Sequence, residues 1–76
     1  MNKQRRETIE KLEAKFQELC DEIQEILDEE QEYYDNMPES LQSGDKGDLA
    51  QNAISNLESA QSDAESVINY LNSARE

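Results

Sequence analysis

In the stretch Ile9-Glu10-Lys11-Leu12-Glu13-Ala14-Lys15-Phe16-Gln17-Glu18-Leu19-Cys20-Asp21-Glu22-Ile23-Gln24-Glu25-Ile26, apolar residues recur at alternating spacings of three and four. Ile9, Leu12, Phe16, Leu19, Ile23 and Ile26 carry the pattern, and Tyr33 resumes its phase. That alternation is the signature of helices wound around one another. A second stripe, Ala50, Ala53, Leu57, Ala60, Ala64, Val67, Leu71 and Ala74, repeats it in the other half of the chain. Two such stripes in one short chain predict an all-α fold, an antiparallel two-helix hairpin. Folding about a bend near Leu41 sets Ile9 against Ala74, Leu12 against Leu71, Phe16 against Val67 and Leu19 against Ala64. Ile23 then meets Ala60, Ile26 meets Leu57 and Tyr33 meets Ala50. Large residues of one arm fall among small residues of the other, as close interdigitation requires.

The arms are bounded by local signals. Residues 3–35 hold no Gly or Pro and are rich in good helix formers. Pro38 disfavours helical geometry at Met37, so the first helix ends near Asn36. Residues 36–46 form the bend, in which 38–42 can make one turn behind Pro38. Gly44 suits a left-handed cap. Ser43 or Asp45 can cap a second helix over 47–74, with Asp48 in its first turn. The whole of 1–76 is one domain.

Some apolar residues fall outside this register. Cys20, Leu27 and Tyr34, with Ile54 and Ile68, form a flanking stripe that one seam leaves in water. Leu49 and Tyr70 flank the other side. Chains this small rarely supply a sufficient core alone. The flanking stripe therefore predicts a homo-oligomer interface, most simply a two-fold dimer forming a four-helix bundle.

Composition narrows the function. The chain has 76 residues, of which 34% are charged and 34% hydrophobic, with a formal net charge of −12. Such a charge disfavours nucleic acid and anionic membranes as partners and favours a basic protein surface. No apolar run reaches spanning length, and the start of the chain lacks a signal-peptide pattern. The single Cys20 has acidic neighbours in Glu18, Asp21 and Glu22 and reads as a structural thiol of an intracellular protein.

The chain has no His, which removes Ser-His-Asp, Cys-His and Glu-x-x-His chemistry. Gly44-Asp45-Lys46-Gly47-Asp48 matches neither a phosphate loop nor a calcium loop. Asp28, Glu29, Glu30 and Glu32 read as a solvated face. Glu30 occupies an apolar heptad position opposite Ala53 and reaches outward. No catalytic residue, metal ligand or cofactor is expected. At the open end, Arg5, Arg6, Tyr70, Asn72 and Arg75 form the candidate site for a small anionic ligand, because Arg forks onto phosphate and Tyr stacks on bases. Asp28, Glu29, Glu32, Tyr34 and Met37 form the candidate partner surface at the bend. Tyr33, Met37 and Leu41 are expected to plug the closed end.

The segment Leu27-Asp28-Glu29-Glu30-Gln31-Glu32-Tyr33-Tyr34-Asp35-Asn36-Met37-Pro38-Glu39-Ser40-Leu41-Gln42 resembles small acidic helical proteins of bacteriophages and mobile elements. The resemblance covers the end of the first helix and the bend, with Asp-Asn-Met-Pro-Glu as its most specific part. It implies a context, a bacterial host in which small phage proteins bind and block host factors, including immune systems. With no catalytic residue in view, the chain is expected to be a non-catalytic, cytoplasmic binding protein that inhibits a host defence factor. Two other functions fit the same chain: an oligomeric sponge for a small nucleotide signal, and a ligand-free scaffolding helix.

Overall fold

A computed structural model describes all 76 residues as three helices. Helix α1 runs Lys3–Asp35, a single turn α2 spans Glu39–Gln42, and α3 runs Asp45–Ala74. At 1.5 Å per residue, 33 residues make a rod of about 50 Å. The molecule measures 58 × 15 × 12 Å with a radius of gyration of 17.2 Å. A globular chain of this length would have a radius near 11 Å. The arms lie side by side and antiparallel, as the heptads require.

Each boundary has a local cause. Asn2 caps α1, its Oδ1 accepting from the Arg5 amide at 2.8 Å. Asn36 closes the helix, its amide donating to the Glu32 carbonyl at 3.0 Å. Pro38, with φ −57 and ψ 148, leads into α2. Gly44 serves as the N-cap of α3, with φ −102 and no side-chain bond. This corrects the expectation of a left-handed Gly44 and of a Ser43 or Asp45 cap. Ser43 Oγ donates instead to the Glu39 carbonyl, and Asp45 is already helical, beginning α3 two residues early. Asp45 and Asp48 both lie in that first turn, where the helix dipole favours them.

The bend is locked by a close approach. Gly47 is buried in the first turn of α3. A Cβ there would lie 1.8 Å from the Gln42 carbonyl oxygen. Gln42 in turn donates from Nε2 to the Tyr34 carbonyl at 2.9 Å, tying α2 back onto α1.

The seam follows a heptad pattern, rotated by one position from the one expected. On α1 the covered residues are Ile9, Glu13, Phe16, Cys20, Ile23, Leu27, Glu30 and Tyr34, continuing to Met37. On α3 they are Gly47, Ala50, Ile54, Leu57, Gln61, Ala64, Ile68, Leu71 and Arg75, with Ala53 and Val67 half-buried beside them. Cys20, Ala50 and Ile54 are the most deeply buried side chains, at 3%, 2% and 8% exposure. Cross-arm bonds join Tyr34 to Gln51, Gln24 to Gln61, Glu13 to Asn72 and Glu10 to Arg75. They displace the register by two residues from the predicted pairing.

The residues assigned to an oligomer interface, Cys20, Leu27, Tyr34, Ile54 and Ile68, therefore lie in the intramolecular seam. Leu12, Leu19, Ile26 and Tyr33 are the ones left outside, at 39%, 48%, 52% and 53% exposure. The reason is the width of the apolar face. Each arm offers three apolar heptad positions, and one contact line covers two. Turning α3 by one position brings Ile54 and Ile68 inside at the expense of Ala60 and Ala74, which buries more apolar surface on that arm. Leu49 and Tyr70 flank the seam as expected, at 69% and 76% exposure.

Candidate functional site

The open end is organised around a carboxylate. Glu13 sits in the seam, its side chain only 13% exposed. Arg75 Nε donates to its Oε2 at 2.5 Å, and Asn72 Nδ2 donates to Oε1 at 3.3 Å. A second guanidinium nitrogen, Nη1, reaches Glu10 Oε1 at 3.4 Å. The hydrogen bond to Glu13 leads the forces that raise the Arg75 pKa further above its ordinary value, against a smaller desolvation effect. This cation is already neutralised by the protein.

Of the predicted ligand residues, only Asn72 and Arg75 come together. Tyr70 is exposed and, at the observed register, lies level with Lys15. That is ten residues from Arg5, about 15 Å along the axis. Arg5 and Arg6 project from the exposed start of α1, beyond the level at which α3 ends. The acceptor Glu13 escaped sequence reasoning because it occupies an apolar heptad slot in the rotated seam. Its spacing of seven from Cys20 was the available signal.

The flank of α1 beside the seam carries a repeating ladder. Gln17 donates to Asp21, Gln24 to Asp28 and Gln31 to Asp35, at 3.3, 2.8 and 2.9 Å. Such Gln–Asp pairs four residues apart support an exposed helix. Between residues 16 and 35 there are nine carboxylates and no cation. Asp28, Glu29 and Glu32 of the predicted partner surface all stand exposed in this half. Tyr34 does not belong to that open surface: it is half-buried, and its hydroxyl accepts from Gln51 Nε2 at 2.8 Å.

Two shallow grooves mark the surface. One, of about 350 Å³, is lined by Gln31, Tyr34, Gln51, Ile54, Ser55 and Glu58. The other, of about 370 Å³, lies at the bend between Tyr33, Asn36, Met37, Pro38, Leu41 and Lys46. Tyr33 and Leu41 thus rim a groove rather than plug the closed end, and Met37 is half-buried within it. No group of three or more His, Cys, Asp or Glu side chains is placed to hold a metal. No helix is long and apolar enough to cross a membrane.

The chain matches no protein-family model, and neither the curated proteins nor the solved structures searched contain a match.

Cys20 is a free thiol enclosed by the seam. Burial pushes its pKa up, and the nearby carboxylates of Glu65 and Asp21 push it further. A raised value means less thiolate, the reactive form. Labelling by a disulfide reagent at pH 8 is expected to be slow in the native protein and fast in urea. Rapid native labelling would contradict the enclosed seam. The linkage has a definite sign. A thiol with a raised folded pKa contributes stability in full below its ordinary value of 9.0 and loses it as pH climbs through the folded value. Urea midpoints should accordingly fall above pH 9, and a Cys20→Ala variant should lose that part of the decline.

Proposed function

We propose that the protein is a non-catalytic binding protein, acting as a homo-oligomer, that counters a host defence factor by laying an acidic helical surface on a basic host protein. The observation that carries this reading is the second half of α1, nine carboxylates without a cation on one straight arm. A dense field of one sign steers an oppositely charged partner and adds most to the association rate. Rigidity helps, because a preformed helix loses little conformational freedom on binding. The resemblance of the bend segment to small acidic phage proteins supplies the context of host defence.

The nucleotide-sponge reading gains no support from side-chain placement, since Arg75 is spent on Glu13 and Glu10 and Tyr70 stands apart from Arg5.

The test uses the triple variant Asp28→Asn/Glu29→Gln/Glu32→Gln, which removes three exposed charges. In a bacterium carrying a defence system that the wild-type protein suppresses, the variant is expected to lose at least about tenfold in phage plating efficiency. Binding to the captured host factor should weaken steeply between low and high salt. Salt-insensitive binding, or full suppression by the variant, would remove the electrostatic mechanism.

A further inference from the structure

The reversal of the chain builds a groove with preformed walls. Beyond the end of α1, Pro38 turns the backbone and α2 folds onto the start of α3. A hollow of about 370 Å³ is left between Tyr33, Asn36, Met37, Pro38, Leu41 and Lys46. The ring of Pro38 fixes its own φ, and the close approach of buried Gly47 to Gln42 holds α2 in place. Tyr33 and Leu41 stand 53% and 43% exposed on the rim, so the hairpin itself does not fill the hollow. Its size lies at the foot of the roughly 300–1,000 Å³ of ligand pockets, room for one bulky side chain. Aromatic and Met side chains are what interface cores are enriched in. The other groove lacks this character. Gln31, Gln51, Ser55 and Glu58 make most of its wall, and its Tyr34 hydroxyl is already engaged by Gln51.

Charge decides the occupant. Each helix that contributes a wall also brings a carboxylate beside it. Glu29 and Glu32 lie one turn before Tyr33 and Asn36, Glu39 follows Pro38, and Asp45 precedes Lys46. All four are exposed. The ion pairs of the chain are those of Arg75 with Glu10 and Glu13, so no cation of the protein neutralises these four. Lys46 is the single cation between residues 16 and 74. It is exposed, as suits a side chain that lays its methylenes along apolar surface and keeps its ammonium in water. A second copy, itself carrying a formal charge of −12, would bring like charge to this end. A segment with positive charge around one bulky apolar residue satisfies the walls and the rim together.

We propose that the groove at the bend is the anchor point for a protein partner, taking one bulky apolar side chain from a segment otherwise rich in Lys and Arg. The apolar side chain packs among Tyr33, Met37, Pro38 and Leu41. The cations around it meet Glu29 and Glu32 of α1 and Glu39 and Asp45 beyond the bend. Charge then sets how fast the partner arrives, and the desolvated anchor sets how slowly it leaves. This deepens the function proposed above and rests on its basic partner; it adds which kind of residue is gripped and where.

Fluorescence anisotropy with labelled synthetic peptides and the purified full chain tests this without a host protein. One probe is a short, acetylated and amidated peptide of Lys and Arg with a single central Phe. A second replaces that Phe by Ala, and a third keeps it and replaces every cation by Glu. The Phe peptide is expected to bind at least about tenfold more tightly than the Ala peptide, the gain from enclosing one large apolar side chain. The Glu peptide is expected not to bind. Tyr33→Ala/Leu41→Ala keeps every charge and changes two half-exposed positions, so it should stay helical and bind both basic peptides equally. Lys46→Glu adds acid to the first turn of α3, where the dipole favours it, and should strengthen binding of the Phe peptide about threefold. Failure of both basic peptides to bind, or equal binding of the two by the wild type, would overturn the groove. So would a Phe preference that survives in the double variant. Weaker binding by Lys46→Glu, or uptake of the Glu peptide, would overturn the cationic occupant in favour of an anionic one. Oligomers of the chain alone that disperse in the double variant would hand the groove to a second copy and overturn the proposal too. The triple carboxylate variant leaves the groove walls intact, so its effect on defence reads the function proposed above separately.

Discussion

Replacing Ile54 by alanine is expected to destabilise the hairpin by about 2–4 kcal/mol. Ile54 is 8% exposed and is the bulkiest deeply buried side chain of α3. Its removal leaves a void that the two helices cannot close, because their backbones are held apart by Leu57 on the next turn and by Tyr34 of the facing arm. A chain of this length has a total stability of about 4–11 kcal/mol, so the loss is a large share. With about 4–8 °C per kcal/mol in a domain this small, the melting temperature should fall by at least about 10 °C. Leu49→Ala is the control. At 69% exposure it should change stability by less than about 0.5 kcal/mol. Thermal melts followed by circular dichroism at one fixed protein concentration decide the matter. Equal losses at the two positions would mean that the seam does not run through Ile54.

The Gly47→Ala substitution tests the bend. Alanine has about 1 kcal/mol more helix propensity than glycine, so local preference alone predicts stabilisation. The geometry predicts the reverse. The added Cβ would sit 1.8 Å from the Gln42 oxygen and 2.4 Å from its carbonyl carbon, both backbone atoms that no rotamer change can move. Turn α2 must lift off, and Gln42 then loses its bond to the Tyr34 carbonyl. Overpacking against a backbone belongs at the upper end of the usual range, about 3 kcal/mol. The net loss is about 2 kcal/mol, or roughly 10 °C in melting temperature. Gly44→Ala should matter far less, because a Cβ there meets only ordinary contacts at 3.6 and 3.7 Å and φ is −102. A Gly47→Ala protein that melts at or above the wild-type temperature would show that α2 does not pack on α3 this closely.

The two substitutions separate what could be read from residue order and what could not. Helix lengths, the stop at Asn36 and the turn behind Pro38 follow from local rules, since caps, proline geometry and propensity act over four residues or fewer. The antiparallel hairpin follows from heptad phase held over both arms. The identity of the buried stripe does not. Leu19 and Cys20, or Ala53 and Ile54, are adjacent in sequence and about 100° apart on a helix, so either can be turned inward without breaking the repeat. The ion pair between Glu13 and Arg75 was hidden for the same reason: it depends on residues 62 apart meeting at a register displaced by two.

By itself the order of amino acids determined an all-helical chain bent once near Pro38, acidic overall and without histidine. Only the folded pair of helices decided which flank of each three-residue-wide apolar face would be covered. That choice is made by the joint packing of both arms, through the bulk of Ile54 and Ile68 and the close contact of Gly47 with Gln42. It seals Cys20 inside and leaves Leu12, Leu19, Ile26 and Tyr33 on the surface.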